Sequence, residues 1–282
     1  MSDLTQSWTG SARAADRATI GARVKAVANS PFARRLFVLA LLALAWEIAA
    51  RVQHNPIMLP SFLETAGAFV EGVTVDNLLG ATLASLSVLL KGYVLAIGIA
   101  IVLVSVAVAN SFARDVLTTL TAMFNPLPAI ALLPIAMLWF GLGEKSLIFV
   151  LVHSVIWPFA LAALSGFETV PETLRLVGRN YGLKGPAYVA RILIPAALPA
   201  ILSGLRIGWA FAWRTLIAAE LVFGVTARQG GLGWFIFQNR NELYTDKVFA
   251  GLAAVILIGL LVDAAVFRAI EAATVRRWGT QR

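Results

Sequence analysis

The stretch Glu168-Thr169-Val170-Pro171-Glu172-Thr173-Leu174-Arg175-Leu176-Val177-Gly178-Arg179-Asn180-Tyr181-Gly182-Leu183-Lys184 is polar and helix-forming, and it sits between two long apolar runs. Thr169 and Glu172 make an S/T-x-x-E pattern, which predicts a capped helix start. Pro171 is tolerated in a first turn, where its missing N–H would have no partner anyway. Leu174, Val177 and Tyr181 recur at helical spacing on one face, with Arg175, Arg179 and Asn180 elsewhere around the helix. Gly182 suits the left-handed residue that ends a helix. These rules predict an amphipathic helix of about three turns. Two uses of it stand at this point. The helix rests on lipid headgroups with its basic residues on phosphates, or it is a docking element for another protein.

On either side the chain is apolar. Of 282 residues, 59% are hydrophobic and 13% charged, and the mean hydropathy is +0.82. A soluble domain carries about 25% charged residues. A membrane span needs about 20 apolar residues at about 1.5 Å each. Six runs qualify: Leu36–Val52, Leu79–Ala109, Val116–Phe140, Ser146–Gly166, Ala196–Phe223 and Val248–Ile270. All are expected to be helices, because lipid offers backbone N–H and C=O groups no partner.

The net charge of +8 is not spread as a nucleic-acid binder would spread it. With a cytoplasmic N-terminus, 15 Lys and Arg fall on inner segments and 5 on outer ones. The inner set is Arg13, Arg17, Arg23, Lys25, Arg34, Arg35, Arg114, Arg175, Arg179, Lys184, Arg191, Arg268, Arg276, Arg277 and Arg282. The outer set is Arg51, Lys145, Arg228, Arg240 and Lys247. The positive-inside rule places both termini in the cytoplasm. Residues 1–35 read as a cytoplasmic tail, 36–275 as the membrane domain and 276–282 as a second tail. The first span reads as uncleaved, since no small-residue cleavage site follows it. The absence of cysteine removes disulfides and thiolate chemistry.

Proline concentrates in the third run, at Pro126, Pro128 and Pro134, with Pro158 in the fourth. These helices should bend or break, and such breaks are tolerated where a cavity or protein satisfies the freed carbonyls. Pro128, Pro134 and Trp139 are therefore candidates for lining a pathway. Gly204 and Gly208 stand at a spacing that lets helices approach closely. Within the spans lie Glu47, Lys91, His153, Arg206, Arg214 and Glu220, and ionised groups there need a partner or water. Lys91 reads as a snorkelling side chain and His153 as a packing residue. Trp213, Arg214 and Glu220 are further pathway candidates, with Arg214 suited to an anion. The alternative for Arg214 is a structural pair with a carboxylate such as Glu220 of a second subunit. No grouping of His and carboxylates has metal-site spacing.

Leu176-Val177-Gly178-x₃-Gly182-x₉-Ile192-x-Ile194-Pro195 resembles the cytoplasmic "EAA" loop of ATP-binding cassette (ABC) importer permeases, E-A-A-x₃-G-x₉-I-x-L-P. It keeps the glycine, the isoleucine, the proline and their spacing. It departs at the glutamate, here Leu176, and at the alanines, here Val177 and Gly178. Leu59-Pro60-Ser61, Trp139-Phe140-Gly141-Leu142-Gly143, Gly204-Leu205-Arg206, Ala219-Glu220 and Gly231-Leu232-Gly233 resemble the sulfonate, taurine and nitrate branch. The resemblance implies the type I importer permease fold: an all-α membrane protein of about six transmembrane helices, with a short cytoplasmic coupling helix, segment 168–190, between spans four and five. It implies a homodimer in a bacterial inner membrane, two cytoplasmic ATP-binding cassette subunits and a periplasmic substrate-binding protein. It implies that Leu174, Arg175, Val177, Gly178, Arg179, Tyr181, Gly182 and Lys184 couple the ATPase to the spans. Leu174, Val177 and Tyr181 would supply apolar area, and the cations would meet polar groups or lipid phosphate at the rim. ATP and Mg are expected on the partner, with no cofactor on this chain, because Gly141-Leu142-Gly143-Glu144-Lys145-Ser146 lacks phosphate-loop spacing. The chain is expected to be a transport subunit and not an enzyme.

Two other classes compete. A self-sufficient secondary transporter or channel for small anions predicts an inverted repeat, and no clear repeat is visible. A membrane-embedded enzyme needs clustered His or Asp, and the chain has two histidines.

Overall fold

The computed structural model describes residues 30–223 and 230–274. Arg13, Arg17, Arg23, Lys25, Arg228, Arg276, Arg277 and Arg282 lie outside the described residues, as do most of the first expected tail and all of the second. The described residues form helices and no strand. The chain divides into two compact units, residues 1–65 and 66–282.

In the first unit, helix α1 runs Pro31–Gln53. Ser30 caps it by accepting from the Ala33 N–H at 3.1 Å, and His54 ends it in the left-handed region at φ 49°. Leu36, Phe37, Leu39 and Leu42 are all exposed. Apolar surface around a whole helix suits lipid or other membrane helices. Trp46 Nε1 donates to the Pro60 carbonyl at 3.0 Å, which folds the following loop back on α1. Helix α2, Phe62–Thr74, opens on a capping box. Ser61 N–H donates to Glu64 Oε2 at 2.8 Å, and Glu64 N–H to Ser61 Oγ at 3.1 Å.

The second unit is built on helices α3, Leu78–Ala109, α6, Glu144–Glu168, and α9, Ile194–Phe223. Lipid tails are as apolar as leucine, so these helices are held by close packing and not by a drive to leave water. Small residues supply the closeness. Ala96, Ala100 and Ala107 of α3 are fully buried. A Cβ on Gly92 would lie 2.8 Å from Leu151 of α6. Gly204 and Gly208 of α9 abut α6: a Cβ on them would lie 2.8 Å from Ala162 and 3.1 Å from Val155. The glycine pair is thus a contact within the chain.

The third expected span is not one helix. Helix α4, Ser111–Phe124, is followed by a 3₁₀ turn, Ala129–Leu132, and helix α5, Leu133–Phe140, with the two arms bent by 90°. Pro126 and Pro128 remove two donors; Asn125 keeps helical angles as the C-cap of α4, and the chain has left them at Pro128, with ψ 115°. Neither arm alone reaches the ~20 residues of a crossing. Among the described residues, five helices are long and apolar enough to span, or six if the bent pair counts as one. Pro158, by contrast, sits inside an unbroken α6.

Helix α7, Glu172–Asn180, leads to the short α8, Gly185–Tyr188, and a π-helical turn, Val189–Leu193. The capping box expected at Thr169 does not form. Thr169 ends α6 instead, donating its hydroxyl to the Gly166 carbonyl at 3.1 Å. Helix α10 runs Leu232–Asn241. It is a packed helix with Leu232, Phe235 and Ile236 buried. Helix α11, Thr245–Leu261, continues through a π turn, Val262–Phe267, into α12, Arg268–Ala273.

Three of the cations in or beside the spans have carboxylate partners. Lys91 does not simply snorkel; it binds Glu144 at the start of α6 at 2.6 Å. Lys91 lies about 20 Å along α3 from Leu78, so α3 extends past the start of α6. Arg206 of α9 pairs with Asp263 of the π turn at 2.5 Å. Lys247 pairs with Asp76 at 2.7 Å and Glu71 at 3.1 Å.

Candidate functional site

Two features of the second unit have the makings of a site: the exposed helix α7 and a cavity at the break between α4 and α5. Helix α7 ends as its sequence requires. Gly182 takes φ 71°, with Leu183 N–H donating to the Gly178 carbonyl at 3.0 Å and Gly182 N–H to that of Arg179 at 2.9 Å. These are the paired bonds of a Schellman end. Leu174, Val177 and Tyr181 are exposed, Tyr181 by 82%. Leu176, which stands at the glutamate of the pattern this segment resembles, is exposed as well. Arg179 and Lys184 point to solvent.

Two of the coupling candidates face inward. Gly178 is buried, and a Cβ there would lie 2.8 Å from the Tyr188 ring and 2.9 Å from Ile192 Cγ1. The missing side chain lets α7 seat on the π turn. Arg175 was expected at the rim. Its guanidinium turns back to the end of α6, donating from Nη2 to the Phe167 carbonyl at 2.6 Å and from Nε to the Val170 carbonyl at 3.2 Å. A helix C-terminus leaves carbonyls without helical donors and carries partial negative charge. A cation held there satisfies both needs and ties α7 to α6.

The cavity has a volume of about 320 Å³. Residues 124–130 of the break form one wall. Helix α6 contributes His153, Ser154, Trp157 and Pro158, and α9 contributes Phe211, Arg214 and Thr215. Phe124 stacks on Trp157 with centroids 5.1 Å apart and meets His153 edge-on at 6.1 Å. Both ring nitrogens of His153, and Trp157 Nε1, are buried without a hydrogen-bond partner among the described residues. Arg214 lies over the Phe211 ring at 4.9 Å. Its Nε donates to the Ala210 carbonyl at 3.0 Å, and no carboxylate pairs with it among the described residues. Pro158 has no N–H for the Ser154 carbonyl four residues back.

Of the pathway candidates, Pro128 and Arg214 line this cavity and the others do not. Pro134 is in the first turn of α5. Trp139 joins an aromatic cluster with Phe140 and Phe149. Trp213 is buried and donates to the Val255 carbonyl at 3.2 Å. Glu220 is 2% exposed. Its carboxylate accepts from Ser85 Oγ at 2.8 Å and from the Gly233 N–H at 2.8 Å. The same Ser85 Oγ accepts from the Leu232 N–H at 2.8 Å. Glu220 thus clasps α3 and the start of α10 to α9, and the glycines at 231 and 233 let α10 come that close. His153, Trp157 and Asn125 escaped the sequence as site residues. The signal available was Asn125 beside the proline pair, and a polar ring at 153 one helical turn from Trp157.

A family model described as binding-protein-dependent transport system inner membrane component matches residues 92–272. The chain is similar to a taurine transport system permease of Escherichia coli, 30% identical over 79% of this chain and 82% of that one. It is also similar to a nitrate import permease of Synechocystis, 32% identical over 75% of this chain and 73% of that one.

Proposed function

Since the chain belongs to the family of binding-protein-dependent transport system inner membrane components, as a type I ABC importer permease of the taurine, nitrate and sulfonate branch, we propose that it is the membrane subunit of an ATP-driven importer for a small anion. It would work as a homodimer in lipid, in a bacterial inner membrane with both termini cytoplasmic. Two ATP-binding cassette subunits carrying ATP and Mg would grip segment 168–190, and a periplasmic binding protein would deliver the solute.

The observation that carries this reading is the construction of α7. Its apolar side chains Leu174, Val177 and Tyr181 are exposed, while Arg175 and Gly178 fasten it to α6 and the π turn. A helix that only floats on headgroups has no need of such fastening. Force applied at Tyr181 would pass through Arg175 to the end of α6. Trp157 lies 11 residues back from Glu168 on that same helix, about 17 Å away. A rigid α6 would therefore shift one wall of the cavity when α7 moves, which is what alternating access asks of the subunit.

The test is co-expression with the neighbouring ATPase and binding-protein genes, followed by reconstitution. Co-purification with the ATPase and uptake that depends on hydrolysis are expected. Uptake by the isolated chain, driven by an ion gradient alone, would overturn the proposal.

A further inference from the structure

We propose that the cavity at the α4–α5 break is a solute site of this subunit for an organic oxyanion: a carboxylate or sulfonate carried on an apolar, uncharged body. This rests on the importer reading above and narrows its substrate class.

Three kinds of observation converge on it. The first is unspent donor capacity. Trp157 lines the cavity, and its Nε1, a donor only, is buried without a partner among the described residues. His153 is in the same condition at both ring nitrogens. Arg214 commits Nε to its own helix, which leaves its Nη groups for a ligand. A planar guanidinium matches the paired oxygens of a carboxylate or sulfonate. Buried donors without acceptors are unfavourable, so an acceptor-rich group entering here would satisfy them.

The second is the wall. Phe124, Trp157 and Phe211 present aromatic surface to the same space. An inorganic anion such as nitrate has no apolar body to cover it, whereas an alkyl or aryl group does. The volume of about 320 Å³ is at the small end of the range for small-molecule sites, roughly 300–1,000 Å³.

The third is charge. Among the described residues that line the cavity there is no Asp or Glu. Glu220, the nearest carboxylate on the same helix in sequence, is enclosed by Ser85 and Gly233. A zwitterion such as taurine would bring an ammonium that meets only neutral acceptors, so it should bind less well than an uncharged-tail sulfonate.

The experiment uses the permease with its ATPase subunits, in detergent and without the binding protein, and radiolabelled benzenesulfonate as probe. Saturable binding is expected. Arg214→Ala and Trp157→Phe should each raise Kd roughly tenfold or more, as loss of a charge-assisted or buried hydrogen bond does. Taurine and nitrate should compete at least about tenfold less well than unlabelled benzenesulfonate. Absence of saturable binding, an unchanged Kd in both variants, or equal competition by taurine or nitrate would overturn the proposal. Should Arg214→Ala not assemble, Trp157→Phe decides alone, because it keeps an aromatic ring beside Phe124 and removes the indole N–H. ATP hydrolysis and subunit association are read on the same samples. A complex that assembles and hydrolyses ATP but binds no benzenesulfonate removes the cavity site and leaves the importer reading; a chain that never associates with the ATPase removes the latter.

Discussion

Arg175 Nη2 reaches the Phe167 carbonyl at 2.6 Å, so the helix that faces outward and the span that lines the cavity share one joint. Removing the joint need not remove the docking face. Arg175→Ala should leave the ATPase bound, because Leu174, Val177 and Tyr181 remain exposed, and should lower uptake per ATP hydrolysed by about tenfold, the loss of roughly 1.4 kcal/mol of coupling. Paired measurement of hydrolysis and uptake in proteoliposomes checks it. Equal stoichiometry in the variant and the parent would rule out the joint.

Gly178 packs where a Cβ would meet Tyr188 and Ile192 within 3 Å. Gly178→Val should lift α7 from the π turn and destabilise the seat by about 1–3 kcal/mol, the usual result of overpacking. Protease sensitivity of the 168–190 segment should rise while the spans stay resistant. Unaltered cleavage would show that the seat tolerates the side chain.

Gly182 holds a left-handed backbone at φ 71°. A residue with a side chain there costs about 1–2 kcal/mol, and arginine adds bulk and charge beside Tyr181. Gly182→Arg should insert normally and lose ATPase co-purification or uncouple hydrolysis from uptake. Normal coupled uptake would place the docking surface elsewhere.

Glu220 is a clasp, so its loss should be felt in stability before transport. Glu220→Ala strands the N–H of Gly233 and the hydroxyl of Ser85, each costing about 1–3 kcal/mol when buried. Thermal unfolding in detergent should shift downward and yield should fall. An unchanged melting profile with lost uptake would return Glu220 to the pathway.

The apolar runs announced the helices, and four of the six expected spans match single long helices to within a few residues at most ends. The last becomes a helix continued through a π turn, and the proline cluster correctly marked a disruption in the third, although its depth as a right-angle break was beyond reach. Proline removes a donor locally, but the angle that results depends on what packs on each arm. Thr169 shows the opposite error. Its pattern with Glu172 is a valid cap, yet α6 continued far enough to use the hydroxyl first. At Gly182 local chemistry alone sufficed, because a left-handed residue is a property of one backbone position.

What the residues settled unaided was therefore local or periodic: spans from apolar length, the amphipathic α7 from its spacing, and its end from a glycine. Charged side chains were different. Arg175, Lys91 and Glu220 each carry a long reach and a strong need for partners, so where they point depends on which helix ends and hydroxyls tertiary packing brings within about 3 Å. Arg175 found the carbonyls of α6, Lys91 found Glu144, and Glu220 found Ser85 and the start of α10. Those partners are distant in sequence or hidden in the backbone, and only the folded chain selects them.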